Sequence, residues 1–166
     1  MKTSRLYRAA VSAFLLVVAS ALPLRAAGQP VPAFTLTTVE GEAVGPPADG
    51  EKPLVVYFMA TGCTDCAVVA EDLGRVTSEL GDRAPTVVAV DVNPYDSADD
   101  LREFAQAVPG VGFRWALDDR GRVARAFGVT ALDTTVVIRP GGEIAFRSDG
   151  PLPYEALKAA IEAALA

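Results

Sequence analysis

Leu54 to Met59 are six apolar residues in a row, and one tight turn later come Cys63 and Cys66, the chain's only two cysteines. A strand with one wet face would alternate; an unbroken run of strand length needs cover on both faces. Thr86–Asp91 and Thr134–Ile138, built on Val87–Val90 and Val136–Ile138, read as a second buried strand and a third. Strands buried on both faces pair in parallel through helical crossovers, so helices must lie between them. From Thr64 to Leu80 the residues Ala67, Val68, Ala70, Leu73, Val76 and Leu80 recur at helical spacing, and Gly81 closes the helix. Asp99–Val108 carries Leu101, Phe104, Ala105 and Val108 and is stopped by Pro109 and Gly110. A short helix is expected at Arg122–Phe127. Pro140, Gly141 and Gly142 turn the third strand into a fourth, Glu143–Arg147, and a last helix runs Pro153–Ala166 with Tyr154, Leu157, Ile161 and Leu165 on one face. The order is β-α-β-α-(α)-β-β-α, an α/β chain with a central mixed sheet flanked by helices. Tyr57 and Trp115 are read as core residues.

The first 27 residues hold Lys2, Arg5, Arg8 and Arg25 and no acid, around an uncharged run from Ala9 to Leu24 that ends in small residues. That pattern predicts a secretory signal, or an uncleaved anchor, over 1–27. Residues 28–52, rich in Pro, Gly and Glu, are expected to be a loose N-terminal extension with one hairpin near Glu40–Glu42, leaving 53–166 as the folded domain. Fifteen basic and 21 acidic residues make the net charge −6, and without the first 27 the balance is 11 against 21. So acidic a domain repels phosphate backbones and anionic lipid, which argues against nucleic-acid binding. With no histidine, His-based acid/base catalysis and imidazole metal sites are excluded. Two cysteines alone cannot close a tetrahedral zinc site, and an exported protein meets oxidants. Chemistry therefore centres on Cys63 and Cys66.

A Cys-x-x-Cys placed after a buried strand and opening a helix suits redox work. The helix N-terminus offers free N–H groups and a positive dipole end to a thiolate on the first sulfur. One turn brings the second cysteine within reach of a disulfide. Phe58-Met-Ala-Thr-Gly-Cys-Thr-Asp-Cys66 resembles the Phe-Trp-Ala-x-Trp-Cys-x-x-Cys of the thioredoxin fold, closest to the exported TlpA-like branch of the redoxin/AhpC-TSA group. The likeness continues through Val87–Asp91, Phe127–Val129, Thr134–Ile138 and the Gly141-Gly142 hairpin. It implies a thioredoxin-like three-layer fold and an extracytoplasmic thiol–disulfide oxidoreductase without cofactor. Cys63 is then the attacking thiol and Cys66 the resolving one. Implied partners are a protein disulfide substrate and a membrane electron donor, with contact to membrane only through an N-terminal anchor. The reducing direction and a monomer are expected.

Two departures single out neighbouring residues. Relatives carry a cis proline before the third strand; here Asp133 precedes Thr134 and Thr135, and a trans bond is expected because cis before a non-proline costs about 3–4 kcal/mol. Relatives carry Trp before the first cysteine; here it is Gly62. Thr61, Gly62, Thr64, Asp65, Asp133 and Thr134 are accordingly the expected tuning or partner-binding residues. Asp65 sets a carboxylate against thiolate formation on Cys63. Asp133 is open to two roles, proton acceptor for Cys66 or hydrogen-bonding residue of the turn. The competing function is a copper chaperone similar to the Sco proteins, holding Cu(I) through the same cysteines. Thr134 stands where those proteins have His, so Met59 or a partner would have to supply a further ligand. A peroxiredoxin reading is weaker, because Thr61 is one position too close to Cys63.

Overall fold

The computed structural model describes residues 28–108 and 112–165; the expected signal over 1–27 lies outside them. Eight strands and four helices follow in order: β1 Gln29–Pro30, β2 Leu36–Thr37, β3 Ala43–Val44, β4 Leu54–Met59, α1 Thr64–Leu80, β5 Thr86–Asp91, α2 Ala98–Ala107, β6 Arg114–Leu117, α3 Arg122–Ala126, β7 Thr134–Arg139, β8 Glu143–Asp149 and α4 Tyr154–Leu165. Six strands form one sheet in the order β1-β8-β7-β4-β5-β6. β4, β5 and β6 run parallel, while β7 lies antiparallel to β4 and forms a hairpin with β8. The strand β6 is a correction to the expected order. Its four residues, Arg114 to Leu117, are too few to show a period, and only pairing with β5 defines them.

Alternation along β4 divides the core. Val55, Tyr57 and Met59 pack with Cys66, Ala70, Leu73, Leu157 and Ile161 under α1 and α4. Val56 and Phe58 face the other way, toward Phe34, Leu36, Val44, Val123 and Phe127. Side chains two apart on a strand share a face, so both faces of β4 are dry, as its unbroken apolar run requires.

The second cluster corrects the expectation of a loose extension. Phe34, Leu36 and Val44 are buried, β2 and β3 form the expected hairpin, and Phe34 stacks edge-on against Phe127 at 5.2 Å. β1 extends the main sheet beside β8. Residues 31–44 thus supply the cover that the even-numbered face of β4 needs and that α3, only five residues long, cannot supply alone.

Candidate redox site

β4 ends at Met59, and the chain turns through Ala60–Gly62, with the Cys63 amide donating to the Ala60 carbonyl at 3.1 Å. Cys63 is the N-cap of α1. Its backbone is extended, and its sulfur accepts the Cys66 amide at 3.2 Å. Cys63 and Cys66 are joined in a disulfide, with Cα atoms 5.2 Å apart. Cys66 is fully buried and Cys63 half-buried. A partner can therefore reach only the first sulfur. When that sulfur is reduced, the same amide and the helix N-terminus stabilise its thiolate.

Asp133 is the residue that tertiary structure brings in. It lies in the turn before β7, in trans, with φ of +61°, a left-handed conformation that Asp tolerates better than most residues. It is 4% exposed. One of its oxygens and both sulfurs lie within 4.8 Å of one another. The turn-bonding role belongs to its neighbour, since the Thr134 hydroxyl donates to the Ala131 carbonyl at 2.8 Å. Asp133 itself accepts from the Tyr57 hydroxyl at 2.5 Å. This backbone also excludes proline at 133, because the ring fixes φ near −65°. The loop is not the family's proline loop with one side chain exchanged.

The Tyr57 ring lies in the core, as its place in an apolar run predicts. Its hydroxyl, however, sits between the Asp133 carboxyl and the Cys66 carbonyl, 3.0 Å away. A tyrosine facing a wholly apolar core needs a partner for its hydroxyl; that lone polar atom in β4 was the available signal. Burial raises the Tyr57 pKa far above its ordinary value, and the Asp133 bond and charge and then Asp65 push the same way, so the phenol stays protonated. Burial raises the Asp133 pKa; the Tyr57 bond pulls it back in part, and the Asp65 charge adds to the rise.

The other expected residues fall around the disulfide. Thr64 and Asp65 are exposed in the first turn of α1. Gly62 is exposed, and a Cβ there would meet nothing within 4 Å, so the position of the family's Trp is open space. Thr61 is engaged by an acid that sequence reasoning did not select. Its hydroxyl donates to Asp96 at 2.6 Å and its amide to the same oxygen at 3.3 Å. Met59 is fully buried in the core. Among the described residues, Cys63, Cys66 and Asp133 are the group whose atoms could close on a metal ion once the sulfurs are reduced.

Fold and site together define a thioredoxin-fold thiol–disulfide oxidoreductase with a Cys-x-x-Cys disulfide at a helix N-terminus. Within that class the chain belongs to the AhpC/TSA family, whose pattern matches residues 27–147. It is 25% identical over 130 residues to sporulation thiol-disulfide oxidoreductase A of Bacillus subtilis, covering 77% of this chain and 78% of that protein. It is 25% identical over 104 residues to the mercury resistance operon ORF3 protein of Streptomyces lividans, covering 61% of this chain but only 55% of that one. Among solved structures, MTB DsbF in mixed oxidised and reduced forms superposes with a TM-score of 0.68 at 25% identity, over 80% of this chain and 95% of that one. A thioredoxin-family thiol:disulfide interchange protein from Chlorobium tepidum gives 0.71 at 22% identity, over 85% and 99%, a likeness of fold.

Proposed function

We propose that this protein works outside the cytoplasm and reduces disulfides in partner proteins, with Asp133 as the proton acceptor for Cys66. The observation that carries the reading is the buried Asp133 carboxyl within 4.8 Å of both sulfurs. In the reduced protein the Cys63 thiolate attacks a partner disulfide. A bond forms between Cys63 and one partner sulfur, and the other partner sulfur leaves as a thiolate. Cys66 then gives its proton to the Asp133 carboxylate and attacks the Cys63 sulfur. The second partner thiolate is released, and the Cys63–Cys66 disulfide closes. Two electrons have passed to the partner, and an electron donor at the membrane restores the dithiol. A carboxylate whose pKa is raised by burial is a better match to a thiol proton than an exposed one.

Export rests on the charge and hydropathy pattern of residues 1–27. Among the described residues no helix is long and apolar enough to cross a membrane. Exposed apolar side chains adjoining the site residues in the chain support a protein partner. The exposed large apolar side chains among the described residues are Val68, Tyr95 and Leu132. Val68 is on α1 just past Cys66, Leu132 precedes Asp133, and Tyr95 adjoins the Asp96 that holds Thr61. A hollow lined by Val44, Pro46, Lys52, Leu54, Thr86 and Arg114 lies instead at the starts of β4 and β5, away from the sulfurs.

Single-cysteine variants test the reading. Cys63→Ser should abolish reduction of insulin disulfides, and Cys66→Ser should accumulate a mixed disulfide with it; equal trapping by both variants overturns the assignment. The copper reading uses the same two sulfurs with the Asp133 oxygen. Titrating the reduced protein with Cu(I) separates the two readings, since a chaperone binds one ion per dithiol and an oxidoreductase turns over without it.

A further inference from the structure

At the end of β5, on the other side of the redox loop from Asp133, lies a second acid cluster that the sulfur chemistry does not use. Asp91 is 1% exposed. One of its oxygens accepts the Asn93 amide at 2.8 Å, and the other, Oδ2, is buried without any hydrogen-bond partner among the described residues. The Asp96 carboxyl lies close enough to the Asp91 carboxyl for one proton to bridge the two residues. Asp96 is otherwise fully engaged. Its Oδ1 accepts from the Asn93 side chain at 2.7 Å, and its Oδ2 accepts the Thr61 hydroxyl at 2.6 Å and the Thr61 amide at 3.3 Å.

A buried carboxylate oxygen with no donor is costly, and two ionised carboxylates in contact are more so. One proton removes both costs. On Asp91 Oδ2 it supplies the missing donor and leaves the single charge on Asp96, where three donors already stabilise it. We infer that Asp91 and Asp96 share one proton, and that this proton fixes the redox loop by holding Asp96 on Thr61, two residues before Cys63.

Among the described residues no cation offsets the two carboxyls. From the β4–α1 loop the uncharged Thr61 faces the pair, its backbone acting on Asp91 as well as on Asp96. From the end of β6, the Asp118 amide binds the Asp91 carbonyl at 2.9 Å, while the Asp118 carboxylate is turned onto the Val123 and Ala124 amides. At the start of α2, Asp100 is occupied by Ser97. The ion pairs among the described residues bring no Lys or Arg to Asp91 or Asp96. Burial raises the Asp91 pKa to about 7; the Asn93 amide pulls it back, the Asp96 carboxyl and its charge push it up, and the Thr61 backbone amide pulls it back a little. Burial works against charge on Asp96 as well, but the bonds from Thr61, Asp91 and Asn93 together outweigh it and hold its carboxyl low. Above that point the two charges repel, Asp96 lets go of Thr61, and the turn that seats Cys63 on the helix N-terminus loosens. Asp91 and Asp96 are positioning residues, and they tie reactivity at Cys63 to pH from outside the disulfide.

The consequence for Cys63 rests on the proposed redox role; the shared proton does not, and the experiment separates them. Carboxyl-carbon NMR of the oxidised wild type should show Asp91 titrating near 7 and Asp96 well below. Amide exchange, corrected for the intrinsic effect of pH, should show protection of Thr61 and Cys63 falling about three- to tenfold across that transition, the worth of one hydrogen bond. In Asp91→Asn the amide keeps a donor on Asp96 at every pH, so the fall should vanish. In Thr61→Val protection should be low throughout while Asp91 still titrates high, and in the reduced protein iodoacetamide should find a raised Cys63 pKa. Asp91 ionised by about pH 5, or a fall in protection that persists in Asp91→Asn, overturns the shared proton. A Cys63 pKa unchanged in Thr61→Val overturns the link to reactivity. Failure to reduce insulin disulfides, with these results intact, would count against the redox role alone.

Discussion

Asp133 and Asp91 are both almost fully buried, and burial raises the pKa of both, yet they are built into opposite environments. Asp133 meets one neutral donor, the Tyr57 hydroxyl, and two sulfurs. Asp91 meets a backbone amide and a second carboxylate that is already tied to the loop. In the role proposed for it, the first acid takes up a proton and releases it as the sulfurs change state. In the role inferred for it, the second holds its proton to keep two elements together. Burial makes a carboxyl a candidate for function, and its neighbours decide whether the proton moves or stays.

The sharpest break between the two acids is kinetic. Asp133→Asn should slow resolution of the mixed disulfide about ten- to a hundredfold, at the low end of general-base effects, and leave the first attack nearly unchanged, as stopped-flow on each step would report. An unchanged resolution rate would return Asp133 to a structural role. Tyr57→Phe removes the hydroxyl that donates to Asp133. With a buried carboxyl left unpaired, the oxidised protein should lose about 1–3 kcal/mol in urea denaturation at neutral pH, and less in acid, where Asp133 is protonated.

Asp91 gives the opposite sign. Its carboxyl moves from about 3.9 in a free chain to about 7 in the fold. The folded protein keeps a proton that the unfolded chain gives up between those values. The contribution to stability is therefore fully present below about pH 4, declines through the window and is lost above about pH 7. Asp91→Asn cannot ionise, so its stability relative to wild type should rise with pH across that window and level off beyond it. A flat difference between pH 4 and 8 would remove the contrast with Asp133.

The smallest effect belongs to Asp65, which is exposed in the first turn of α1. Its carboxylate, between the two cysteines in sequence, is expected to oppose a thiolate on Cys63, and the chain holds no histidine to favour one. The potential should lie nearer the thioredoxin value of about −270 mV than the DsbA value of about −120 mV. Asp65→His should raise it by tens of millivolts, about a factor of ten in the exchange equilibrium per 30 mV, measured against a glutathione series.

The amino-acid sequence by itself determined the strands and helices with long, regular patterns. β4 is an unbroken apolar run, β5 and β7 are built on the apolar runs Val87–Val90 and Val136–Ile138, and α1 keeps its helical period over four turns, because burial on both faces or on one stripe demands those patterns locally. It also placed Cys63 and Cys66 at a strand-to-helix turn, which is enough to name the chemistry. Tertiary structure alone decided the rest. β6 exists only as a partner of β5, and residues 31–44 are core rather than tail because one face of β4 would otherwise be wet. Asp133 lies 67 residues beyond Cys66 in the chain, and Asp96 is 35 beyond Thr61. What such acids do depends on burial and on which polar atoms close around them, and neither quantity has a local period to read.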